Sequence, residues 1–462
     1  MEARINSIFV GNYNLLNMTS FSFKYIVLGL TLLLFQSNVF GRKAPITVPQ
    51  QCLNIHNKWL KETFTLTQNS VGFSAPISAR AYAYFSIAMY ESTVEIMPSL
   101  QSLSGQLNQY KRTQYSSPDV AYIWPLVVNA TDHEMIKHLY KIMPPANEQH
   151  VKHILDSITK SVSKKHSKLA IERSINYGKA IALELIEWAK TDGGNESYFA
   201  NYPTNYAPPT CKSCWALTAP GYQTALLPYW GKNRLLLENS ATATEACNVI
   251  PFSTDTNSVL YKDAMAIVSI SKSKNPEYER IAEYWDDAPG YSGTPSGHFF
   301  SLTRQLVEQQ HSTLEKAMEV YVKLGVALND ALINCWRLKY TFNFIRPITY
   351  IHRYIDPYYN SFIASPSFPE FPSGHSFQSG AGTEILKALF TDTIEFTDAT
   401  NHKKTDIDGT PQHYTSFSEM AEEISISRFY GGIHFHQTLE ISLGYGQKIG
   451  QFVSSELKCK KP

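Results

Sequence analysis

Apolar residues recur at helical spacing through most of this chain. Between Pro76 and Leu100, Ala79, Ala83, Ile87 and Tyr90 fall three to four positions apart, the pattern of one buried helical face. Residues 147–163 and 168–190 repeat it with polar faces of Lys, Glu and His, and 256–272 and 277–286 predict shorter helices. A long tract from Phe299 to Phe344 is predicted helical, broken near Gly325. It ends where Arg346 precedes Pro347, because proline pushes its predecessor out of the α region. Helices at 375–390, 417–430 and 436–456 close the chain, the second opened by the capping box Ser416-Phe-Ser-Glu419. Two stretches break the rhythm. Residues 195–255 carry Pro203, Pro208, Pro209, Pro220 and Pro228 and should wrap the helices, while 391–415 reads as a polar loop with a short hairpin. No fixed-period repeat occurs. The expectation is a mainly α protein, a helical bundle or pair of bundles with few or no strands.

Three regions follow from the pattern: a leader at 1–41, an N-terminal helical region with the Pro-rich wrapping segment at 42–255, and a helical bundle at 256–462. Lys24 precedes the apolar run Tyr25 to Phe35, and Val39-Phe40-Gly41 suits signal peptidase, so the leader reads as a secretory signal with Met18 as an alternative start. That run is too short to span a bilayer, and no later stretch approaches eighteen consecutive apolar residues. A secreted or periplasmic protein, not an integral membrane one, is expected. The net charge of +1 provides no basic field, which excludes nucleic acid as a partner. Among six cysteines, Cys211-Lys-Ser-Cys214 reads as a local disulfide, since one CxxC without a second pair is a weak zinc signal. Cys335, mid-helix beside Trp336, reads as a packed thiol.

Candidate chemistry lies in three segments that set cations and imidazoles among apolar, aromatic and Gly residues. The first runs from Lys339 to Arg346-Pro347. The second is Pro372-Ser373-Gly374-His375, and the third runs from Ser427-Arg428 through Gly431-Gly432 to His434. Three fixed cations and two histidines with almost no acid among them describe a pocket for an anion. On one continuous helix Trp336, Lys339, Asn343 and Arg346 would share a face. The Ser373 hydroxyl and Gly374 N–H at a helix start are natural donors to anion oxygens. His375 at the same rim can trade a proton near neutral pH. The Gly pair lets Arg428, a planar fork, converge with His434, placed to bond a central atom. The plainer readings are snorkelling cations on a surface helix and a capped turn with an incidental histidine. A second Pro295-Ser296-Gly297-His298 lies ahead of Lys339, so its order excludes it from the anchor role; it reads as a helix-opening turn. Gly374-His-Ser376 starts like a nucleophile elbow but has Gln378 where the last Gly belongs.

Taken in order, this set resembles the signature shared by vanadium-dependent haloperoxidases and PAP2-type acid phosphatases. Weaker likeness in Ile281-Ala-Glu-Tyr-Trp-Asp-Asp and in Trp215…Pro228-Tyr-Trp230-Gly is similar to secreted bacterial haloperoxidase-like proteins. The resemblance implies the helical fold of that type and vanadate as cofactor, with phosphate as a competing oxyanion. It implies His434 as the vanadium ligand, and Lys339, Arg346, Ser373, Gly374 and Arg428 around the oxygens. His375 would assist protonation and Lys339 would polarise bound peroxide. Partners would be hydrogen peroxide, a halide and a small organic acceptor, the product hypohalous acid. Trp336 and Phe368 match aromatic positions of chloroperoxidases and bacterial iodoperoxidases, a halide pocket suited to iodide or bromide. The alternative is a PAP2-type phosphatase with His434 as nucleophile and His375 as general acid. Such phosphatases carry an Asp four residues after that histidine; here Thr438 stands there, which leaves open what orients His434. The chain most resembles secreted bacterial vanadium iodoperoxidases.

Overall fold

The computed structural model describes residues 46–117, 119–219 and 221–462. The leader and Met18 lie outside the described residues. In chain order the helices are α1 (Val48–Asn69), α2 (Ala75–Thr93), α3 (Trp124–Leu139), α4 (Pro145–Ser163), α5 (Lys168–Ala189), α6 (Val259–Ser273) and α7 (Pro276–Tyr284). They continue with α8 (Thr294–Gln309), α9 (Leu314–Phe342), α10 (Pro347–Tyr354), α11 (Gly374–Phe390), α12 (Phe417–Tyr430) and α13 (His436–Glu456). One antiparallel hairpin, β1 (Phe396–Asp398) with β2 (Gln412–Tyr414), lies between α11 and α12, in register Phe396 to Tyr414. The mainly α expectation holds, hairpin included. No helix of the described residues is long and apolar enough to cross a membrane.

Helix α9 organises the core. Residues 317–336 are buried without interruption. Helix α2 packs along one side of it and α11 along another; α11 in turn packs on α13, and α3 on α5. Helices from either side of residue 255 share this core within the compact unit Val48–Pro462. Gly325 does not break α9, contrary to expectation. It lets α2 come close, since a Cβ there would collide with Ser86 Oγ and lie 3.0 Å from Ala83 Cα. The break falls earlier, where His311 takes a left-handed φ of 47° and Thr313 caps α9 by accepting the Lys316 N–H.

Three helices escaped the sequence pattern. The buried faces of α1 and α3 carry His56, Thr63, Asn129 and Asp132, whose polarity blurs the apolar period. Inside the fold these groups pair, His56 Nδ1 with Asp132 Oδ2 at 2.8 Å and Trp59 Nε1 with Asn129 Oδ1 at 2.9 Å. Helix α10 is too short to show a period.

Among its described residues the Pro-rich segment wraps the helices with 3₁₀ turns and one isolated bridge, Cys214 to Phe344. Asp330 of α9 anchors it by accepting the N–H groups of Leu236 (2.8 Å) and Leu237 (2.9 Å) and the Ser240 hydroxyl (3.0 Å). Burial pushes its carboxyl up to about 6. The Cys211–Cys214 disulfide forms, and its loop pairs with the chain leaving α9: Trp215 N–H reaches Asn343 O at 2.6 Å and Ile345 N–H reaches Ser213 O at 2.9 Å. The wrap thus fixes the residues just ahead of Arg346.

Candidate active site

The expected single face from Trp336 to Arg346 does not form. Helix α9 stops at Phe342 because Asn343 turns left-handed, φ 47°, its N–H still closing on Lys339 O. Asn343 turns its side chain to Tyr206 and Tyr340 O rather than to the cluster. Arg346 arrives instead as the extended N-cap residue of α10. Lys339 in the last turn of α9 and Arg346 still converge, because both pack over the Phe368 ring, at 4.8 and 4.9 Å from its centroid. Lys339 Nζ donates to Pro369 O (2.8 Å), Glu370 O (3.1 Å) and Pro372 O, so it clamps the loop leading into Ser373. Burial draws its ammonium down to about 7.

Ser373 caps α11 by accepting the Ser376 N–H, while its own N–H donates to Ser442 Oγ at 2.9 Å. Gly374 follows in the first turn, where backbone N–H groups have no partner within their helix. A Cβ on Gly374 would meet nothing nearer than Trp336 at 3.7 Å. Protein packing therefore does not demand glycine there, and the position is open to an approaching ligand. His375 lies partly exposed on the cleft wall, its Nε2 3.3 Å from Asp286 O. Burial, followed by Arg428, holds its pKa well below the usual histidine range.

Helix α12 ends at Tyr430, Gly432 takes φ 75°, and His434 lies in the turn two residues before α13 rather than opening it. Its Nδ1 is 2.8 Å from Glu370 Oε1 and its Nε2 3.3 Å from Arg346 Nη1. A guanidinium can only donate, so Nε2 is the acceptor and Nδ1–H donates to Glu370. Burial, then Arg346 and Lys339, keep this imidazole neutral, its pKa well below the usual value. Glu370 itself is fully buried and also accepts Phe435 N–H (3.1 Å) and the Thr438 hydroxyl (3.0 Å). Burial pushes its carboxyl up to about 7 against the pull of Arg346 and Lys339. Sequence reasoning missed Glu370. Its signal was there: one acid between the prolines of Pro369-Glu-Phe-Pro372, beside a motif otherwise free of acids.

Arg428 Nη1 donates to Trp285 O at 3.0 Å and Nη2 to Asp286 Oδ1 at 3.1 Å. Asp286, which places both Arg428 and His375, was quoted from the sequence only for its likeness to a known segment. Arg346 donates through Nε to Phe368 O (3.0 Å) and through Nη1 to Ile433 O (2.8 Å). In this cluster two buried donors have no partner among the described residues, Arg346 Nη2 and Arg428 Nε. Arg346 touches His434 Nε2 through Nη1, and Arg428 and His434, with Trp336, Phe368, Gly374 and His375, line a cleft of about 1250 Å³. Trp336 and Phe368 meet at 5.1 Å between ring centroids and form its dry wall. The cluster therefore fits a small oxyanion. Its donors are orphaned, its glycine is open, and its imidazole offers a lone pair.

Residues 354–459 match the family model of the second helical-bundle domain of VCPO. A search of the curated proteins by sequence gave no match. Among solved structures, a bacterial vanadium-dependent iodoperoxidase superposes with a TM-score of 0.78 at 27% identity, over 91% of this chain and 99% of that one. A bacterial vanadium-dependent chloroperoxidase shares the fold at 15% identity. Its holo form gives a TM-score of 0.62 over 85% of this chain and 94% of that one, and its apo form 0.61 over 84% and 94%. Over nearly its whole described length the chain has the helical fold of the vanadium haloperoxidases.

Proposed function

We propose that this protein holds vanadate at His434 and oxidises a halide, iodide or bromide, with hydrogen peroxide to hypohalous acid, which a small organic acceptor consumes. The observation that carries the reading is one buried cluster in which Arg346 and Arg428 each keep an unpartnered guanidinium nitrogen and Arg346 holds His434 Nε2 unprotonated. His434 would bond the central atom, Arg346, Arg428, Ser373 and Gly374 would hold its oxygens, and Lys339, whose three donors go to backbone carbonyls, would add its charge. Bound there, vanadate supplies a Lewis-acidic centre that activates hydrogen peroxide toward halide. The two guanidiniums provide fixed donors that need no reorganisation as charge develops. His375 gives its Nε2–H to Asp286 O, which leaves Nδ1 as the base that takes a proton from the incoming peroxide. Trp336 and Phe368 exclude water and suit a large polarizable halide; the likeness to an iodoperoxidase supports iodide. The Cys211–Cys214 disulfide supports an exported protein, secreted or periplasmic.

A phosphatase remains the second reading, and Glu370 favours it. The His434–Glu370 pair supplies the carboxylate-oriented imidazole that a phosphoryl nucleophile requires, so Thr438 in place of Asp no longer counts against it. The deciding experiment incubates purified protein with orthovanadate and assays iodide and bromide oxidation by hydrogen peroxide. The metal-free protein is assayed in parallel on p-nitrophenyl phosphate, where phosphate would compete. Halide oxidation absent in every vanadate preparation, with brisk ester cleavage, reverses the ranking. His375→Ala should abolish turnover yet still bind the anion; full activity in that variant ends the role assigned to His375.

A further inference from the structure

The second Pro-Ser-Gly-His opens α8 and delivers His298 into a buried clamp. His298 is 2% exposed, and each ring nitrogen faces a carboxylate: Nδ1 lies 2.9 Å from Asp287 Oδ2 and Nε2 lies 2.7 Å from Asp398 Oδ2. A neutral ring would turn a lone pair toward one of those carboxylates, so both nitrogens carry protons and the ring is an imidazolium. Burial works against that charge, but Asp287 and Asp398 outweigh it and raise the pKa to about 10. The Trp285 ring stacks on it at 4.6 Å and 28°. Asp398 also takes the Tyr284 hydroxyl at 2.8 Å and the Thr400 N–H at 2.9 Å. The clamp therefore ties the end of α7, the start of α8 and the β1 strand together.

Between those tied points the backbone is unusual. Asp287 sits left-handed at φ 46°, and the β-branched Thr294 at φ 63°. Side chains rarely adopt such conformations, which persist where surroundings over-determine them. Immediately upstream, this corner reaches the oxyanion site through three contacts: Trp285 O and Asp286 Oδ1 to Arg428, and Asp286 O to His375. Among the described residues no other acceptor holds the Arg428 guanidinium, its Nε being unpartnered.

We propose that His298 is a positioning residue: by bridging Asp287 and Asp398 it fixes the 285–287 corner, and through that corner aims Arg428 and His375 at the bound oxyanion. The inference rests on the oxyanion reading of the site. A purely packing role for His298 predicts lower stability with unchanged anion affinity; a positioning role predicts that affinity itself falls.

The test titrates metal-free protein with orthovanadate by calorimetry, alongside thermal melts. His298→Gln should bind orthovanadate roughly three- to thirtyfold more weakly, the usual span for a residue acting through others. The loss should shrink in an Arg428→Lys background, where the corner has lost the fork it aims. The double variant H298Q/D398N, which keeps the cluster's net charge, should recover part of the affinity. Should H298Q fail to fold, Asp287→Asn decides, because Asn retains the volume and tolerates the left-handed backbone; it should show the same weakening. Wild-type affinity in a folded H298Q or D287N, or an undiminished loss in the R428K background, overturns the inference alone. Wild-type protein that binds no orthovanadate overturns the oxyanion reading and this inference together.

Discussion

Replacing Arg346 with lysine keeps the charge and removes the fork. Arg346 spends Nε on Phe368 O and Nη1 on Ile433 O and His434 Nε2, which leaves Nη2 buried and free. A lysine ammonium at that depth would settle on the two carbonyls and direct nothing at the ligand. A hydrogen bond to a charged group is worth about 1.5–3 kcal/mol, so R346K should bind orthovanadate roughly ten- to 150-fold more weakly. Arg346→Gln loses the charge as well. Two unit charges about 4 Å apart at an effective dielectric of about 20 interact by about 4 kcal/mol, so R346Q should fall a further hundredfold or more. Burial lowers the Arg346 guanidinium only to about 10, so the wild-type charge is present across the working range. Calorimetry measures the affinities directly, and thermal melts provide a second readout. At about 100 Kd of orthovanadate the wild type gains about 2.7 kcal/mol, whereas a variant with a hundredfold higher Kd gains about 0.4 kcal/mol. R346K binding within threefold of wild type would refute the claim that the free Nη2 faces the ligand.

Glu370 should behave as the group that orients His434. Glu370→Ala is expected to lower orthovanadate affinity or turnover by about a hundredfold and Glu370→Gln, which keeps an acceptor for Nδ1–H, by about tenfold; equal losses in both would show that charge, not orientation, matters. Lys339 should make binding consume a proton. Its pKa near 7 in the free protein rises beside a bound oxyanion, so above pH 7 binding takes up a proton and affinity falls as pH rises, with no uptake by this group below 7. Titrations at pH 8.5 in buffers of different ionisation heat count that proton, and Lys339→Met should abolish it. Asp330→Ala strands four buried donors, three of them in the wrap, and should lower stability by about 3 kcal/mol in urea unfolding; a change under about 0.5 kcal/mol would mean the wrap is held elsewhere.

Much of this molecule was legible along the chain because the relevant physics is local. The helical period of the apolar faces of α2, α5, α9, α11, α12 and α13, the Ser416 cap and the residue types of an anion site all depend on spacing a few residues long. Ser416 does cap α12 through the Glu419 N–H, although the Glu419 carboxylate returns to Thr415 rather than to the cap residue. Helices α1 and α3 were hidden because their buried polar groups find partners 70 or more residues away. No local pattern announces such a pairing.

The same division runs through the site. Which residues carry charge, which can trade a proton and which lack a Cβ are properties of the sequence itself, and they sufficed to single out Lys339, Arg346, Ser373, Gly374, His375, Arg428 and His434. Only the tertiary structure decided that Arg346 comes from a turn instead of the α9 face, that Glu370 orients His434, and that Asp286 aims Arg428. Hydrogen bonds of about 3 Å join groups tens of residues apart, and burial sets which of them keep a proton; neither distance nor burial exists until the helices have packed.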